Sequence, residues 1–332
     1  MTRIAINGMG RIGRAVLKLL LDTEELKPVA INDIISPDNM LYLLRYDTVY
    51  GRYNREMKLD GDVLYMGKHE VRIINQKDPL QLPWRELNVD LVFECTGFFT
   101  GKEDLMKHIQ AGAGMVILSA ESKSDEIGTV VVGVNEPQRG TPIISCASCT
   151  TNCVTPVMEV MGRRIGISKA ILTAIHAYTS TQKIVDAPSK KFRRGRAGAA
   201  NLVPTTTGAT SAAIKALPSL NGKFSGLAVR APVAAGSISD MTILVSRPTT
   251  VDEVRKIFTE EAASDRYRGI LGVTSDPIVS SDIIQDTHSS LVDLDLIQVV
   301  DGDLVKIMSW YDNEWGYAAQ MVREAVRIAL SR

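Results

Sequence analysis

The sequence predicts an α/β fold, with a doubly wound parallel sheet in the first half of the chain. Three observations lead to this prediction. A short strand runs through a glycine-rich turn into a helix, an acidic residue follows the second strand, and short apolar runs then alternate with polar, helix-like segments. At 332 residues the chain is long enough for two domains.

The first strand and its turn open the chain. Residues 2–7 form a short apolar strand that runs directly into the turn GMGRIG, and a helical apolar pattern follows. In such a turn the first glycine makes the bend, the second lets the backbone approach a pyrophosphate, and the third lets the helix pack on the strand. The phosphates would lie at the helix N-terminus, where free N–H groups stabilise negative charge.

An acidic residue ends the next strand at the distance typical of this motif. The apolar strand 29–32 ends in Asp33, twenty residues past Gly13. A carboxylate at that distance accepts hydrogen bonds from an adenosine ribose. It also repels a 2′-phosphate, which favours NAD over NADP. Together with the glycine turn, Asp33 indicates a Rossmann dinucleotide-binding domain.

Further short apolar runs continue the predicted sheet. They are residues 71–74, 91–94, 115–119, 130–134 and 143–144. Thr96 and Ser119 lie at the ends of two of these strands. Because doubly wound folds bind ligands at the carboxyl edge of the sheet, both residues are candidate cofactor contacts.

The composition excludes several other classes of protein. A formal net charge of zero gives no preference for nucleic acid or for a membrane surface, and there is no run of about 18 apolar residues. We therefore expect neither a signal peptide nor a spanning helix. Four cysteines are too few for a secreted disulfide framework, which indicates thiols in a reducing, cytoplasmic setting.

Three of the four cysteines lie within ISCASCTTNC, residues 144–153. A zinc or iron–sulfur site would need a second ligand pair, which the chain does not offer, so no metal is expected, and a redox disulfide lacks the usual context. The segment from Ser148 is instead typical of a capped helix start, where a thiol has a lowered pKa. Cys149 is therefore the predicted nucleophile, with Cys146 and Cys153 as its neighbours.

One histidine and one arginine lie where an unpaired charge would be costly. His176 is in the apolar strand 170–179, and Arg230 follows the apolar residues 227–229. His176 is the candidate base for Cys149, and a hydrogen-bonded core histidine is the alternative. Arg230 binds either an anionic ligand or a protein carboxylate. The other histidines lie in polar, surface-like segments or in a Thr/Ser-rich turn: His69, His108 and His288.

A basic run and a threonine-rich helix start point to anion chemistry. Residues 190–196 read KKFRRGR, and residues 204–209 read PTTTGA. Arginine forks, hydroxyl groups and a helix N-terminus are the parts of a phosphate site. The alternative is that the basic run is a solvated loop.

These segments together resemble the phosphorylating glyceraldehyde-3-phosphate dehydrogenase family over essentially the whole chain. The resemblance rests on INGMGRIGR, LLRYDTVYGRY, SCTTNC, IHAYT, RRGRAGAANLVPTTTGA, LAVRAPV and WYDNEWGY. It implies an oxidoreductase of glycolysis that converts D-glyceraldehyde 3-phosphate to 1,3-bisphosphoglycerate and reduces NAD, through a cysteine thiohemiacetal and a thioester. It also implies a cytoplasmic homotetramer in which the loop 178–200 crosses the subunit interface.

The resemblance implies roles for individual residues as well. Cys149 would be the nucleophile and His176 the general base. The cofactor contacts would be Gly8, Gly10, Arg11, Ile12, Gly13, Asp33, Lys77, Thr96, Ser119, Asn313 and Tyr317, with Asn313 on the nicotinamide carboxamide. Inorganic phosphate would meet Ser148, Thr150, Thr207 and Gly208, and the substrate phosphate would meet Thr179, Arg194 and Arg230, with Arg230 serving both.

The family's fold implies an α+β catalytic domain with a mixed or antiparallel sheet. The dinucleotide-binding domain would comprise residues 1–148 and 313–332, including a returning C-terminal helix at 316–330, and the catalytic domain residues 149–312. Its strands are expected near 170–179, 227–233, 240–246, 297–300 and 304–311. Residues 250–253 read TVDE, a capping box that would open a helix in that domain.

Several departures from the family pattern suggest a divergent paralogue. Thr181 replaces a common aspartate near the substrate phosphate, and Ala187-Pro188 mixes the pattern of NAD-restricted members with that of dual-cofactor members. NAD is expected, and NADP use stays open, with Lys77 near a 2′-phosphate. Smaller departures are Met9, Glu121 and the segment APVAAGSISD. The alternatives are a related phosphorylated-aldehyde dehydrogenase, such as one for erythrose 4-phosphate, and a catalytically weak regulatory paralogue.

Overall fold

The computed structural model describes residues 1–138 and 140–331, and these form two compact units. The first unit contains residues 1–130, residues 136–147 and the chain from Ala318 onward. The second unit contains residues 131–135 and 148–317.

The first unit contains the strands β1 (Thr2–Asn7), β2 (Leu26–Asn32), β3 (Tyr46–Asp47), β4 (Gly51–Arg52), β5 (Met57–Asp60), β6 (Val63–Met66), β7 (His69–Ile74), β8 (Leu91–Glu94), β9 (Val116–Leu118), β10 (Gly128–Thr129) and β11 (Ile143–Ser145). Nine of them form one sheet in the order β10-β11-β9-β8-β1-β2-β7-β6-β5, and β3 pairs with β4 in a separate two-stranded sheet. Its helices are α1 (Arg11–Leu20), α2 (Pro37–Arg45) and α3 (Lys102–Gln110), with a 3₁₀ turn at Pro79–Gln81. The strands from β10 to β7 along this order pair in parallel, which confirms the predicted doubly wound sheet.

Two parts of the first half differ from the prediction. β5 and β6 form an antiparallel hairpin on the edge of the sheet that the apolar pattern did not indicate. The strand predicted at 130–134 is wrong, because residues 132–134 form a turn in which Gly133 has φ +82°. The apolar side chains of this segment are explained by packing, since Val132 lies against the hydrophobic core of the second unit.

The second unit contains the strands β12 (Ile167–Ala177), β13 (Val203–Thr205), β14 (Phe224–Ala231), β15 (Ser237–Val245), β16 (Leu271–Thr274), β17 (Ser290–Asp293), β18 (Gln298–Val300) and β19 (Leu304–Tyr311). These eight strands form one mixed sheet in the order β13-β14-β12-β15-β19-β17-β16, with β18 paired to β19. Its helices are α4 (Cys149–Arg164), α5 (Ala209–Ala216) and α6 (Val251–Ala262), with 3₁₀ turns at Phe192–Gly195, Gly198–Ala200, Pro218–Leu220 and Leu294–Leu296. The final helix of the chain is α7 (Trp315–Leu330). This mixed sheet with packed helices confirms the expected α+β architecture.

Helix α4 packs on this sheet through an apolar face that the sequence pattern indicates. Val154, Val157 and Val160 are fully buried in the core of the unit. At α6 the Thr250 hydroxyl accepts a hydrogen bond from the Glu253 N–H, as a capping residue does. The Glu253 carboxylate instead accepts from Thr249 and Arg247, so the reciprocal half of the predicted capping box is replaced by these contacts.

Strand register places the two polar side chains of interest next to each other. β12 pairs in parallel with β14, and His176 lies opposite Arg230 in that pairing. Facing residues of adjacent strands project to the same face of a sheet, so the register alone brings these side chains together. Among the described residues, no helix is long and apolar enough to cross a membrane.

Candidate active site

Cys149 is the first residue of α4, immediately after a side-chain cap. The Ser148 hydroxyl accepts from the Thr151 N–H at 3.3 Å and lies 2.7 Å from the Thr151 hydroxyl. The Asn152 amide nitrogen donates to the Ser148 carbonyl at 2.9 Å. These local bonds fix the start of the helix. The Cys149 thiol is therefore held at the N-terminal end of α4, where the free N–H groups lie.

The structure brings Cys149 and His176 together. The Cys149 Sγ lies 3.3 Å from the His176 Nε2, a distance at which a proton can pass between them. His176 is buried at the end of β12, and the edge of its ring meets the ring of Tyr311 at a centroid distance of 6.0 Å. The geometry therefore favours a nucleophile–base pair over an isolated core histidine.

The other ring nitrogen of His176 has two competing partners. Nδ1 lies 2.7 Å from the Ala177 carbonyl oxygen and 2.6 Å from the Arg230 Nη1. A carbonyl only accepts, so it favours a proton on Nδ1 and leaves Nε2 free to take the thiol proton. A guanidinium only donates, so it favours the opposite tautomer, in which Nε2 already carries a proton. Arg230 can also donate to Ala177, at 3.1 Å.

Burial dominates the ionisation of this pair. It raises the pKa of Cys149 to about 11, against the opposing effects of Arg230 and the Thr150 N–H. It lowers the pKa of His176 to about 3, with Arg230 adding to the decrease. The lowered thiol pKa predicted from the helix N-terminus is therefore wrong for this structure, because loss of water outweighs the helix end. Both groups are neutral near pH 7.

No carboxylate among the described residues forms an ion pair with Arg230. Its hydrogen bonds go to His176 and Ala177, and its buried Nε has no partner among the residues that the structure describes. Burial, and secondarily the nearby Arg194, lower the pKa of Arg230. Arg230 and Arg194 are neighbouring guanidinium groups, and the Arg230 Nε is a donor that can bind an anion. The structure therefore favours an anionic ligand, the first of the two partners that the sequence predicts for Arg230.

The other predicted phosphate contacts are largely engaged in local bonds. The Arg194 Nε donates to the Thr205 hydroxyl at 2.9 Å, and the Thr179 and Thr181 hydroxyls are 2.8 Å apart. The Thr150 hydroxyl lies 2.8 Å from the hydroxyl of buried Tyr311. Thr207 and Gly208 lie at the start of α5, where the Thr207 hydroxyl accepts from the Ala209 N–H. Tyr311 was not a sequence candidate, because an apolar strand pattern gives no sign of its hydroxyl.

The basic run is mostly a solvated loop. Lys190 and Arg193 are exposed, Lys191 donates to the Thr206 hydroxyl, and Arg196 pairs with Asp186. Within residues 190–196, Lys191 and Arg194 both donate to the threonine segment that precedes α5, and Arg194 is the less exposed of the two.

Two histidines described as surface residues are buried. His69 is 8% exposed and His108 is fully buried, so the sequence interpretation of both is wrong. Their segments look polar because each has charged neighbours on the solvent side of the same element. His288 lies in the irregular segment before β17 rather than in a turn, with its Nδ1 2.8 Å from the Asp286 carboxylate.

In the first unit the glycine turn lines a cavity of about 290 Å³. Gly8 has φ +96°, and a Cβ there would lie 2.6 Å from the Thr96 nitrogen. A Cβ on Gly13 would lie 1.9 Å from the Gly8 oxygen, whereas one on Gly10 would meet open space. The lining residues are Asn7, Gly8, Gly10, Asn32, Asp33, Ile34, Gln76, Lys77, Cys95, Thr96, Phe98 and Phe99. The turn thus has the shape that brings a pyrophosphate close to the backbone.

The predicted cofactor residues of this unit have distinct surroundings. Asp33 accepts from the Met9 N–H at 2.6 Å and from the Ile35 N–H at 3.1 Å, so its carboxylate also holds the turn. Arg11 pairs with Asp47. The remaining residues are Ile12, half-buried in α1, Lys77, exposed at the cavity, and Ser119, half-buried after β9.

Asn313 and Tyr317 belong to the second unit. The Asn313 Oδ1 accepts from the Gly236 N–H and the Ser237 hydroxyl, both at 3.1 Å, which fixes the orientation of its amide. Tyr317 is buried.

Among the described residues, none of the four cysteines forms a disulfide. Burial raises the pKa of Cys153 to about 12 and holds that of Cys146 well above its usual value. Within residues 1–138 and 140–331, no group of three or more metal-ligating side chains is arranged to hold a metal ion.

The chain matches two models of one protein family. Residues 2–102 match the glyceraldehyde 3-phosphate dehydrogenase NAD binding domain, and residues 148–313 match the C-terminal domain of the same family. Glyceraldehyde-3-phosphate dehydrogenase 2 of Streptomyces avermitilis is 44% identical over 324 residues, which cover 96% of each chain. Glyceraldehyde-3-phosphate dehydrogenase 2 of Bacillus subtilis is 42% identical over 96% of this chain and 94% of its own.

A chloroplast relative is equally similar. Glyceraldehyde-3-phosphate dehydrogenase A of Chlamydomonas reinhardtii is 44% identical over 96% of this chain and 87% of its own length. The glycine turn, the thiol–imidazole pair and these similarities along nearly the whole chain agree. The chain belongs to the glyceraldehyde-3-phosphate dehydrogenase family, and it is an oxidoreductase with NAD as its cofactor.

Proposed function

We propose that this enzyme oxidises D-glyceraldehyde 3-phosphate to 1,3-bisphosphoglycerate, with NAD as hydride acceptor and inorganic phosphate as acyl acceptor. One observation carries the proposal: the Cys149 thiol lies 3.3 Å from the His176 imidazole, beside Arg230, which forms no ion pair with a carboxylate in the described part of the chain. A thiol nucleophile with a base suits acyl transfer, and the arginine suits a phosphorylated substrate. We assign NAD binding to residues 1–148 and 313–332 and catalysis to residues 149–312.

The first chemical step forms the bond between Cys149 and the aldehyde carbon. His176 Nε2 takes the thiol proton as Sγ attacks, and the proton then passes to the carbonyl oxygen to give a neutral thiohemiacetal. NAD, when bound, accepts the hydride that leaves this carbon. His176 removes the hydroxyl proton in that step, which leaves a thioester on Cys149. Phosphate attacks the thioester, and the Cys149 thiolate leaves.

Arg230 links substrate binding to the protonation state of the base. A phosphate group that draws the guanidinium away from Nδ1 leaves the Ala177 carbonyl as the partner of that nitrogen. The proton then resides on Nδ1, and Nε2 is free to accept the thiol proton. Thr179, Arg194 and Arg230 are the proposed ligands of the substrate phosphate. Ser148, Thr150, Thr207, Gly208 and Arg230 are the proposed ligands of inorganic phosphate.

The cavity of the first unit fits the phosphate-bearing part of NAD. The open space in front of Gly10 admits a pyrophosphate, and the Asp33 carboxylate lines the same cavity, where it would accept from a ribose hydroxyl. Gly8, Arg11, Ile12, Gly13, Thr96 and Ser119 complete the proposed contacts in this unit. Asn313 and Tyr317 are the cofactor contacts proposed for the second unit. NADP is the second candidate cofactor, because exposed Lys77 lines the cavity and could meet a 2′-phosphate.

We also propose a cytoplasmic homotetramer. Four cysteines without a disulfide among the described residues suit a reducing compartment. Ile171 of β12 and Leu227 of β14 are 60% and 47% exposed, and Ile184 and Phe192 in the following loop are 90% and 89% exposed. Exposed apolar side chains of this number support burial against further copies of the chain.

Initial rates of NADH or NADPH formation test the proposed reaction. D-glyceraldehyde 3-phosphate is supplied with NAD or NADP, each with and without inorganic phosphate, and erythrose 4-phosphate is the competing substrate. We expect phosphate-dependent turnover that is faster with NAD and with the three-carbon aldehyde. Equal sustained rates without phosphate would contradict acyl transfer, and a faster rate with erythrose 4-phosphate would reassign the substrate.

A further inference from the structure

A buried histidine and a buried carboxylate outside the chemistry described above form a hydrogen-bonded pair in the first unit. His108 of α3 and Glu94 of β8 are both fully buried, with the His108 Nε2 3.1 Å from the Glu94 Oε2. The indole nitrogen of Trp84, also fully buried, is 3.0 Å from the His108 Nδ1.

The tryptophan fixes the state of the histidine. An indole N–H can only donate, so Nδ1 of His108 must be the acceptor in this contact. The remaining proton of a neutral imidazole is then on Nε2, from which it is donated to the Glu94 carboxylate. A second proton on His108 would place two donors against each other at Nδ1. His108 is therefore a neutral donor to Glu94 with one allowed tautomer.

Glu94 is surrounded by donors. Its Oε2 accepts from His108 and, at 2.6 Å, from the Asn7 amide nitrogen. Its Oε1 accepts from the Thr96 N–H at 2.7 Å and from the Thr96 hydroxyl. All four contacts suit an ionised carboxylate, since a protonated one would direct its own hydrogen at a donor. No lysine or arginine among the described residues forms an ion pair with Glu94.

A series of hydrogen bonds connects Glu94 in the core with residues that line the cavity. The Asn7 Oδ1 accepts from the Asn32 amide at 2.7 Å, and the Asn32 Oδ1 accepts from the Gln76 N–H at 2.9 Å. Asn7, Asn32, Gln76 and Thr96 all line the cavity. The Thr96 nitrogen is also the atom that a Cβ added at Gly8 would meet most closely. A buried carboxylate without hydrogen-bond partners is costly in the core of a fold. Here the Glu94 oxygens accept hydrogen bonds from Asn7 and Thr96, and these bonds hold the groups that shape the glycine turn.

We infer that Glu94 and His108 are positioning residues for the dinucleotide: His108 orients the Glu94 carboxylate, which holds Thr96 and Asn7 in the geometry that accepts the cofactor. The inference rests on the proposed function in one respect, that this cavity holds NAD. Neither residue touches the cofactor, and their effect passes through Thr96 and Asn7.

Glu94→Gln tests the inference in the full-length enzyme. Either orientation of the carboxamide points its NH₂ group at existing donors, so the Thr96 or the Asn7 contact is lost. We expect the NAD Kd, measured by calorimetry, and the KM for NAD to rise about 10-fold or more. We expect kcat at saturating NAD and the KM for the aldehyde to stay within about 3-fold, since the thiol site lies in the other unit.

Glu159→Gln is the matched control. Glu159 is a buried carboxylate in the second unit, bonded to Tyr267 and Arg163. Loss of a buried acceptor lowers Tm in both variants, but only Glu94→Gln should weaken NAD binding. A second comparison covers the case in which Glu94→Gln fails to fold. His108→Leu removes the donor to Glu94 and should raise the NAD KM, whereas His108→Gln keeps an amide donor and should restore most of the affinity.

The outcomes separate the two claims. A wild-type enzyme that does not bind NAD would overturn the proposed site and this inference with it. Wild-type binding together with an unchanged NAD Kd in folded Glu94→Gln and His108→Leu would overturn the inference alone. An equal loss of NAD affinity in Glu159→Gln would also overturn it, because the effect would then be one of general stability.

Discussion

Arg230 acts on both reacting side chains at the residue scale, with opposite consequences. Its charge lowers the pKa of Cys149, which favours the thiolate, and it also lowers the pKa of His176, which weakens the base. The contact with Nδ1 adds a preference for the tautomer that cannot accept the thiol proton. A phosphorylated substrate that draws Arg230 away from Nδ1 is therefore proposed to strengthen the base.

The pH dependence of Cys149 alkylation follows from burial. The pKa of the thiol is raised to about 11 and that of His176 is lowered to about 3, so no thiolate–imidazolium pair forms between these values. Because the thiolate is the reacting form, the rate with iodoacetamide should increase with pH and show no plateau below about pH 8. A plateau near pH 6 in the enzyme without substrate would contradict this account.

Arg230→Met should slow that alkylation. Removing the charge raises the pKa of the Cys149 thiol, so we expect about a 3- to 10-fold lower rate at pH 8. Arg193→Met is the control, because Arg193 is an exposed arginine of the same basic loop. An unchanged or faster rate in Arg230→Met would show that Arg230 does not act on the thiol.

At the scale of elements, the two sites lie at the ends of regular structure. α1 begins at the glycine turn and α4 begins at the nucleophile, and the register of β12 with β14 sets His176 beside Arg230. The glycines of this turn differ in whether they tolerate an added side chain. A Cβ on Gly13 would collide with the Gly8 backbone, whereas one on Gly10 meets nothing within 4 Å.

Gly10→Ala separates folding from cofactor binding. The added methyl group fits the free protein, so Tm should change by no more than about 2 °C. It occupies the space through which a pyrophosphate reaches the backbone, so the NAD KM should rise about 10-fold or more. Gly128→Ala is the matched control, since its Cβ would also meet open space, away from the turn. A normal NAD KM in Gly10→Ala would place the pyrophosphate elsewhere.

At the scale of the whole molecule, the sequence predicted much of the architecture but not the state of its buried polar groups. The glycine turn, the acid after β2 and the apolar runs predicted the parallel sheet, because strand period and turn chemistry are local. The burial of His108 depends on Trp84 and Glu94, which are 24 and 14 residues away in sequence, so no local pattern indicates it.

The same difference between local pattern and distant packing explains why the predicted pKa of the Cys149 thiol is wrong. A helix N-terminus is visible in the sequence, and it predicts a lowered pKa for Cys149. The desolvation that raises the pKa instead comes from packing of several elements around the helix end. The wrong strand prediction at 130–134 has a related cause. Val132 is apolar because it packs against a core of residues that are distant in sequence, and not because it lies in a strand.

Assembly belongs to this scale as well. Leu227 is 47% exposed on β14 beside exposed residues of β12. If this face joins copies of the chain, Leu227→Lys should lower the assembly mass from four chains to fewer by light scattering, with the fold retained. Lys256→Ala, a change at an exposed polar position of α6, should leave the mass unchanged. A monomeric wild-type enzyme would contradict the proposed tetramer.

The most direct test of the central claim is the acyl-enzyme itself. The enzyme is mixed with NAD and D-glyceraldehyde 3-phosphate in the absence of inorganic phosphate, then quenched in acid, digested and analysed by mass spectrometry, while NADH formation is followed. The account predicts a burst of about one NADH per site and a phosphoglyceryl thioester on Cys149, both abolished by Cys149→Ser. A burst without an adduct on Cys149, or an adduct on Cys146 or Cys153 in its place, would contradict it.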